Sequence, residues 1–416
     1  MTSPATLPAL RALGLVPLVL AVSVWAALAL PGTARAQEGE LQIGDLPAIR
    51  FGVGLMQSVQ ALQADDGAFH PEDAEASPGF HRLRFNLLLS MDVTDRIRAT
   101  VDLGHEPNDF GADFAPVVDY AVVDFLLNEA LTFRMGMPVT TLFNFRGYSD
   151  GAYVQDNPLI GNSPADLVTA ETGVQLVGTL DALSFDLTAT SPTFFEDFGP
   201  DRGLTLIGKA STRLDGGLGL GAGALLGTNG GQVGERPFGE IQRVGLVQGD
   251  GENYNFPGSP ASSRDTHMGT IPGLDVRGLH LDAEFRRDDV PVLVRGWYGR
   301  LWDDYSFVDG EGDFTVLSQA AGFAERESEA DFVGATVGLE LSPSVYAASR
   351  LTLARNLSEW AGDENRLTRF QAGLGHRFWD HALIKAEYVI QTEEADSPGQ
   401  IGEDWQGILV ELSVIF

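Results

Sequence analysis

Apolar and polar side chains alternate in about sixteen separate segments of the chain. The clearest segment runs from Phe80 to Val93, where every odd position from Leu83 onwards is apolar and Arg82, Arg84 and Asn86 occupy even positions. Successive side chains of a β-strand point to opposite faces, so each segment predicts a strand with one apolar and one polar face. The predicted strands are 49–60, 80–93, 96–103, 117–127, 131–137, 172–180, 183–190, 204–214, 218–226, 276–286, 292–301, 332–341, 345–355, 368–378, 383–391 and 405–416.

The gaps between these segments alternate between short and long. The short gaps are rich in Asp, Asn, Gly, Pro and Ser, the residues of tight turns. A soluble β-sandwich has no reason to sort its connections in this way, whereas a membrane barrel has short turns on one side and long loops on the other. We therefore predict an all-β fold, a transmembrane antiparallel β-barrel of about 16 strands with short periplasmic turns and long external loops. The long gaps are 61–79, 104–116, 138–171, 191–203, 227–275, 302–331, 356–367 and 392–404.

The last predicted strand has one unbroken apolar row, which runs from Ile408 to Phe416 at alternate positions. Taken alone, this pattern also fits an edge strand of a soluble β-sandwich. A terminal strand that closes on Phe resembles the last strand of bacterial outer-membrane β-barrels. That resemblance implies that the strand ending in Phe416 is recognised by the barrel-assembly machinery.

Residues 1–36 have the form of a secretory signal peptide. Arg11 precedes an apolar run from Ala12 to Leu30, and Ala34-Arg35-Ala36 forms a cleavage site before Gln37. The apolar run is long for a signal peptide, which leaves an uncleaved membrane anchor as the alternative. We predict a cleaved signal peptide, 1–36, followed by a single outer-membrane β-barrel, 37–416.

The composition argues against several classes of function. The chain has no cysteine, and 58 acidic residues against 27 basic ones give a formal net charge of −31, which argues against a nucleic-acid partner. None of the seven histidines is paired at metal-ligand spacing, and the sequence contains neither Gly-x-Ser-x-Gly nor His-Glu-x-x-His. We therefore predict no enzymatic activity, no cofactor and no metal site.

The mature chain resembles the 16-stranded outer-membrane porins of Gram-negative bacteria. The stretch 131–162 is most similar to their phosphate-selective-porin-like branch, through Gly136, Pro138 and the run Asp156-Asn157-Pro158-Leu159-Ile160. The resemblance implies a water-filled channel for passive diffusion of small hydrophilic solutes and ions, and a homotrimer in contact with outer-membrane lipid and lipopolysaccharide. The chain departs from that branch because Lys209 and Lys385 are its only lysines.

A constriction is expected where the third external loop of such porins folds inward. Here that loop is the gap 138–171, and several arginines of the early strands share the polar parity that faces the lumen. We predict that wall arginines oppose loop carboxylates across a narrow gap, which would orient dipolar solutes. The alternative is that the arginines pair with wall carboxylates such as Asp92 and Asp102. The predicted constriction residues are Arg82, Arg84, Arg98, Arg134, Asp150 and Asp156.

The acidic excess lies mostly in the long gaps, and three interpretations remain open. It forms an electronegative mouth that concentrates cations, binds lipopolysaccharide through divalent cations, or keeps the loops soluble. A second function also remains open, because the gap 227–275 is long enough to plug the barrel and leave it a structural or surface-interaction role.

Four aromatic residues cluster at the predicted outer end of one strand. Trp297, Tyr298, Trp302 and Tyr305 follow one another where a strand reaches the outer side. Aromatic girdles of membrane barrels lie at that level, so we expect these side chains at the lipid interface.

Overall fold

The computed structural model describes residues 39–41, 47–64, 79–105, 117–138, 157–160, 172–191, 204–228, 275–287, 289–306, 325–357, 365–378, 381–395 and 405–415. The secondary structure of these residues is entirely β. The strands are β1 (Gly39–Leu41), β2 (Ile49–Ala64), β3 (Gly79–Thr94), β4 (Ile97–His105), β5 (Val117–Asn128), β6 (Leu131–Met137), β7 (Thr172–Leu180), β8 (Leu183–Ser191), β9 (Leu204–Arg213), β10 (Leu218–Thr228), β11 (Asp275–Arg287), β12 (Val290–Ser306), β13 (Glu325–Ser342), β14 (Val345–Asn356), β15 (Asn365–Phe378), β16 (Ala382–Ala395) and β17 (Trp405–Ile415).

Strands β2 to β17 form a closed antiparallel barrel. Each pairs with the strand before it and the strand after it, and β17 returns to pair with β2, as in Val410 opposite Val59. Closure gives every one of these sixteen strands two partners, so the barrel has no open edge. No helix among the described residues is long and apolar enough to span a bilayer.

The sixteen predicted strands correspond one to one to β2–β17, and the fold prediction is confirmed. Two boundaries differ most: β13 begins at Glu325 rather than 332, and β12 ends at Ser306 rather than 301. The residues involved are largely charged and lack apolar alternation, whereas the backbone ladder continues regardless of side-chain polarity. β1 was not predicted; it pairs with Ile49–Phe51 of β2, just beyond the last β17 pairing at Gly54.

The barrel has an apolar outer face and a polar inner face. Leu187, Leu281 and Leu374 are more than half exposed, while alternate residues of the same or neighbouring strands, such as Thr188 and Gln371, are buried. Such an outer surface would be an aggregation liability in water, but it matches the hydrocarbon core of a membrane. The alternation predicted from the sequence therefore separates lipid-facing from lumen-facing side chains.

Aromatic side chains lie flat on glycines along the inner wall of β12–β15. A Cβ on Gly334 would lie 2.2 Å from Cζ2 of Trp297, and one on Gly375 would lie 2.1 Å from Cζ of Tyr346. The prediction that Trp297 faces the lipid interface is wrong, because this residue has the inward parity and is only 4% exposed. Tyr298 and Trp302 have the outward parity, and the side chain of Tyr305 lies outside the described part of the chain.

Candidate functional site: the lumen and its anchored loop segment

A four-residue segment of the long gap 138–171, Asn157–Ile160, lies against the inner wall of the barrel. Arg350 of β14 donates from Nη2 to Oδ1 of Asn157 at 3.0 Å. Lys385 of β16 donates to the carbonyl oxygen of Leu159 at 3.2 Å, and the backbone N–H of Ile160 donates to Glu387 at 2.5 Å. Three inward side chains on two strands thus hold consecutive parts of the segment.

Apolar packing supports the same contact. Leu159 is 1% exposed and forms a buried cluster with Tyr346, Ala348 and Leu383. Gly373 of β15 lies below it, and a Cβ at this glycine would be 3.0 Å from Cδ2 of Leu159. The glycine leaves room for the leucine between β14 and β16, which is a packed contact rather than a loose one.

The anchoring side chains are themselves held by neighbours on the wall. Lys385 forms an ion pair with Glu411 of β17 at 2.7 Å, and Gln371 donates to the second oxygen of Glu387 at 3.0 Å. Arg350 also donates from Nε to Thr336 at 3.1 Å. Because each anchor is fixed by a second bond, its position does not depend on the loop alone.

The segment lies on the far side of the lumen from the strands that flank its gap. The gap begins after β6 and ends before β7, and β14 is eight strands from β6 in a barrel of sixteen. Asn157 and Arg350 are 193 residues apart in the chain. The described segment of this gap is therefore held at the wall opposite the strands that flank it.

Arg98, a predicted constriction residue, lies on the inner face of β4 next to the turn after β3. Its Nε donates to Asp92 at 2.6 Å, and Arg50 of β2 donates to the other oxygen of Asp92 at 2.7 Å. The side chains of Arg98 and Asp92 are 46% and 45% exposed. Arg98 therefore pairs with the wall carboxylate Asp92, as the alternative interpretation of the sequence has it.

Arg134, also predicted, lies on the inner face of β6 in a continuous polar network. It donates to both oxygens of Asp124, at 2.6 and 3.1 Å, and to Gln175 of β7 at 2.9 Å. Gln175 donates in turn to Asp186 of β8 at 2.9 Å, and Thr188 donates to the same carboxylate at 2.7 Å. The network spans four strands and balances the arginine with carboxylates of the wall.

A third set of charges lines β9–β12. Lys209 lies 2.8 Å from Asp282, whose carboxylate also contacts Nε2 of His280 at 3.0 Å. Beside it, Glu284 contacts Arg213 at 2.9 Å and Arg295 at 2.5 Å. Acidic and basic groups thus alternate along the inner wall from β2 to β12.

The other four predicted constriction residues lie wholly or partly outside the described part of the chain. Arg82 and Arg84 lie in β3, and their side chains are outside the described part of the chain. Asp150 and Asp156 lie outside the described residues altogether. Asp102, the other suggested partner of the arginines, accepts a hydrogen bond from Asn86 at 3.2 Å. Among the described residues, no group of three or more His, Asp or Glu side chains could hold a metal ion.

Sequence reasoning missed the residues that hold the loop segment. Lys385, Glu387 and Glu411 share the inward parity of the last two strands, which was a detectable signal for buried charge facing the lumen. The run Asn157-Pro158-Leu159-Ile160 was singled out, but nothing in the sequence indicates which wall it contacts.

Solved structures of outer-membrane channels share this architecture. The chain is similar to the outer membrane channel DcaP of Acinetobacter baumannii, with a TM-score of 0.57 and 8% identity over 90% of this chain and 99% of that one. It is also similar to OmpT, an outer membrane protein of Vibrio cholerae, with a TM-score of 0.55 and 13% identity over 91% and 100% of the two chains. An anion-selective porin from Comamonas acidovorans has a TM-score of 0.54 and 10% identity over 88% and 100%. No protein-family model and no curated protein sequence matches the chain.

These likenesses and the apolar outer face agree on the fold class. The chain has the porin fold: a 16-stranded β-barrel of the kind found in the outer membrane of Gram-negative bacteria. The alignments cover 100% of the anion-selective porin and 99% of DcaP. The likeness therefore extends over the entire barrel rather than over a few strands.

Proposed function

We propose that the protein is an outer-membrane porin, a water-filled channel for passive diffusion of small hydrophilic solutes and ions. Sixteen strands enclose more space than inward side chains fill, which leaves an aqueous passage. The observation that carries the proposal is the anchored segment Asn157–Ile160, because a loop fixed inside the barrel narrows a channel without closing it.

The anchored segment covers the inward side chains that hold it. Side chains around the anchor are almost fully buried, with Arg350 1% and Lys385 2% exposed. On the other side, Arg98 and Asp92 are nearly half exposed, and Arg213 of β9 is 63% exposed. In this proposal the gap 138–171 is the constriction loop, with Arg82, Arg84, Arg98 and Arg134 on the wall and Asp150 and Asp156 on the loop.

The charge distribution supports a preference for cations. The wall arginines Arg98 and Arg134 are ion-paired with Asp92 and Asp124, and Asp92 is shared with Arg50, so the wall contributes little net charge. The eight long gaps hold 38 of the 58 acidic residues and only 7 of the 27 basic ones. Because all eight gaps join the same ends of the strands, this acidic charge surrounds one mouth and raises the local concentration of cations.

A phosphate-selective channel has less support. Both lysines of the chain are ion-paired, Lys209 with Asp282 and Lys385 with Glu411, and neither provides an unbalanced positive charge to the lumen. The similarity of 131–162 to the phosphate-selective branch therefore concerns the loop and its anchor rather than the transported ion.

The proposal includes the assembly expected of such a porin. We infer a cleaved signal peptide, 1–36, insertion through the barrel-assembly machinery by the strand ending in Phe416, and a homotrimer in lipid that includes lipopolysaccharide. One of the similar structures is described as the trimer form of OmpT of Vibrio cholerae.

Single-cysteine labelling tests the channel directly, because the natural chain has no cysteine. Thr100 and Val101 are neighbours in β4, and Thr100 lies opposite Ser90 on the inward parity while Val101 lies opposite Leu89 on the outward one. In planar bilayers, a bulky cationic thiol reagent is expected to lower the conductance of Thr100→Cys and to leave that of Val101→Cys unchanged.

The conductance of the two variants distinguishes a porin from a plugged barrel. Current steps in both variants before labelling, and a loss in Thr100→Cys alone, support a conducting lumen. Absence of any current from protein that is shown to be folded by its heat-modifiable gel mobility would refute the porin and favour a plugged barrel.

A further inference from the structure

Asp186, an inward carboxylate of β8, makes no ion pair with any described residue. Its Oδ2 accepts a hydrogen bond from Nε2 of Gln175 at 2.9 Å, and its Oδ1 accepts one from the hydroxyl of Thr188 at 2.7 Å. Arg134 donates to Oε1 of the same Gln175 at 2.9 Å, which turns the amide nitrogen towards Asp186. Both donors to Asp186 are uncharged, so they fix the carboxylate and leave its negative charge in place.

The basic side chains beside Asp186 are paired with other carboxylates. Lys209 lies directly opposite Asp186 in the β8–β9 register, yet its ammonium group lies 2.8 Å from Asp282 of β11. Arg134 donates to both oxygens of Asp124, at 2.6 and 3.1 Å. These five side chains therefore comprise three carboxylates and two cations, and the excess negative charge is that of Asp186.

Two glycines of β10 explain why Lys209 pairs with Asp282. Gly223 lies opposite Lys209 and Gly221 lies opposite Asp282, so no side chain of β10 separates the two charges. A Cβ on Gly221 would lie 2.5 Å from Oδ2 of Asp282, which shows how closely this carboxylate lies over β10. Asp282 also contacts Nε2 of His280 at 3.0 Å, and this ring adds a positive charge only when it is protonated. The pairing across β10 leaves Asp186 with its neutral donors.

Asp186 lies where the exposed lower part of the lumen ends. β8 runs from a short turn towards a long gap, and along it Ser184 is exposed and Asp186 is partly exposed. The next inward residues, Thr188 and Thr190, are each 3% exposed. On β9, Arg213 near the same short-turn side is 63% exposed. Asp186 therefore lies at the border between the open and the covered parts of this wall.

We propose that Asp186 is the wall residue that selects small cations, such as alkali-metal and primary ammonium ions. A fixed charge beside a narrow aqueous passage raises the local concentration of ions of the opposite sign. Gln175 and Thr188 are positioning residues, because they hold the carboxylate without cancelling its charge. The inference rests on the proposed porin function and adds a selectivity residue inside the barrel, apart from the acidic residues of the long gaps.

Reversal potentials in planar bilayers test the inference with a matched pair of substitutions. Asp181 lies in the short turn of the same hairpin, about 16 Å from Asp186 for five residues of strand, beyond the Debye length of about 10 Å at 0.1 M salt. Its φ is 52°, a conformation that Asn accepts, so Asp181→Asn preserves the turn. Asp186→Asn is expected to lower the cation-to-anion permeability ratio by up to about fivefold, the effect of one charge at close range in water. Asp181→Asn is expected to leave this ratio unchanged.

A chemical rescue separates the charge of Asp186 from a structural role. The natural chain has no cysteine, so Asp186→Cys carries a single thiol. A negatively charged thiol reagent is expected to restore the cation preference of this variant, and a positively charged reagent is expected to lower it further. A merely structural role predicts the same ratio with either reagent.

Three results would overturn the inference while leaving the porin proposal intact. They are a conducting Asp186→Asn variant with the wild-type ratio, equal shifts in Asp186→Asn and Asp181→Asn, and a labelled Asp186→Cys variant that does not respond to the charge of the reagent. Absence of current from wild-type protein that is folded by its heat-modifiable gel mobility would refute the porin proposal itself, and this inference with it.

Discussion

The ammonium group of Lys385 lies 2.7 Å from a carboxylate oxygen of Glu411, and the side chains are 2% and 3% exposed. Lys385 also donates to the carbonyl oxygen of Leu159, so one buried cation joins β16, β17 and the loop segment. Removing one partner of a buried ion pair leaves a charge without compensation, which costs far more than removing an exposed pair.

Lys385→Met is therefore expected to destabilise the barrel by about 3–5 kcal/mol. Unfolding in urea, followed by tryptophan fluorescence in phospholipid vesicles, measures the change. Glu340→Gln is the matched control, because the Glu340–Arg377 pair lies on the same inner wall but is 51% and 46% exposed. The control should cost less than about 1 kcal/mol. Equal shifts of the two unfolding midpoints would contradict the role assigned to Lys385.

Leu159 is the apolar part of the same anchor, and its truncation tests whether the loop segment controls the current. Leu159→Ala removes a side chain packed on Tyr346, Ala348 and Leu383, a change that costs roughly 2–5 kcal/mol at a buried site. Because this loss acts on a loop contact, we expect a noisier and larger single-channel current rather than an unfolded barrel. Leu187→Ala, which shortens a lipid-facing side chain that is 53% exposed, should leave the current unchanged. Identical traces from both variants would show that the anchor does not set the opening.

The sequence predicted the barrel because a strand imposes a period of two on its side chains. That period separates Arg134 from Phe133 and places it in the lumen without knowledge of the partner strand. Its partner Asp124 faces it in the β5–β6 register, so this ion pair follows from the short turn between the two strands. The contact of Asn157 with Arg350 has no such origin, because it joins residues 193 positions apart through a loop without periodicity. The short strand β1 was also missed, since three residues are too few to show alternation.

The proposed acidic mouth predicts an ion selectivity that depends on the salt concentration. The 38 acidic and 7 basic residues of the long gaps give a net charge of −31, equal to the formal net charge of the whole chain. The Debye length falls from about 30 Å at 0.01 M salt to about 3 Å at 1 M, so the attraction of cations is screened at high salt. We expect the cation-to-anion permeability ratio, obtained from reversal potentials, to decline steadily as the salt concentration of both compartments is raised at a fixed gradient. A ratio that is independent of salt would place selectivity in the constriction instead.

The Arg50–Asp92–Arg98 cluster tests whether charges on the inner wall affect ion selectivity, because two substitutions within it should shift the reversal potential in opposite directions. Asp92 accepts from both arginines, at 2.7 and 2.6 Å, and all three side chains are at least 40% exposed to the lumen. Asp92→Asn leaves two positive charges uncompensated, whereas Arg98→Gln leaves one arginine matched to one carboxylate. Asp92→Asn is therefore expected to shift the reversal potential towards anion selectivity, and Arg98→Gln towards cation selectivity. Each should change the free energy of unfolding by less than about 1 kcal/mol, because the pairs are exposed.

Asp289→Asn removes a more exposed carboxylate, 64% against 45% for Asp92, at a turn and should leave the reversal potential unchanged. Shifts of the same sign in Asp92→Asn and Arg98→Gln would mean that these substitutions act through structure and not through the charge of the lumen.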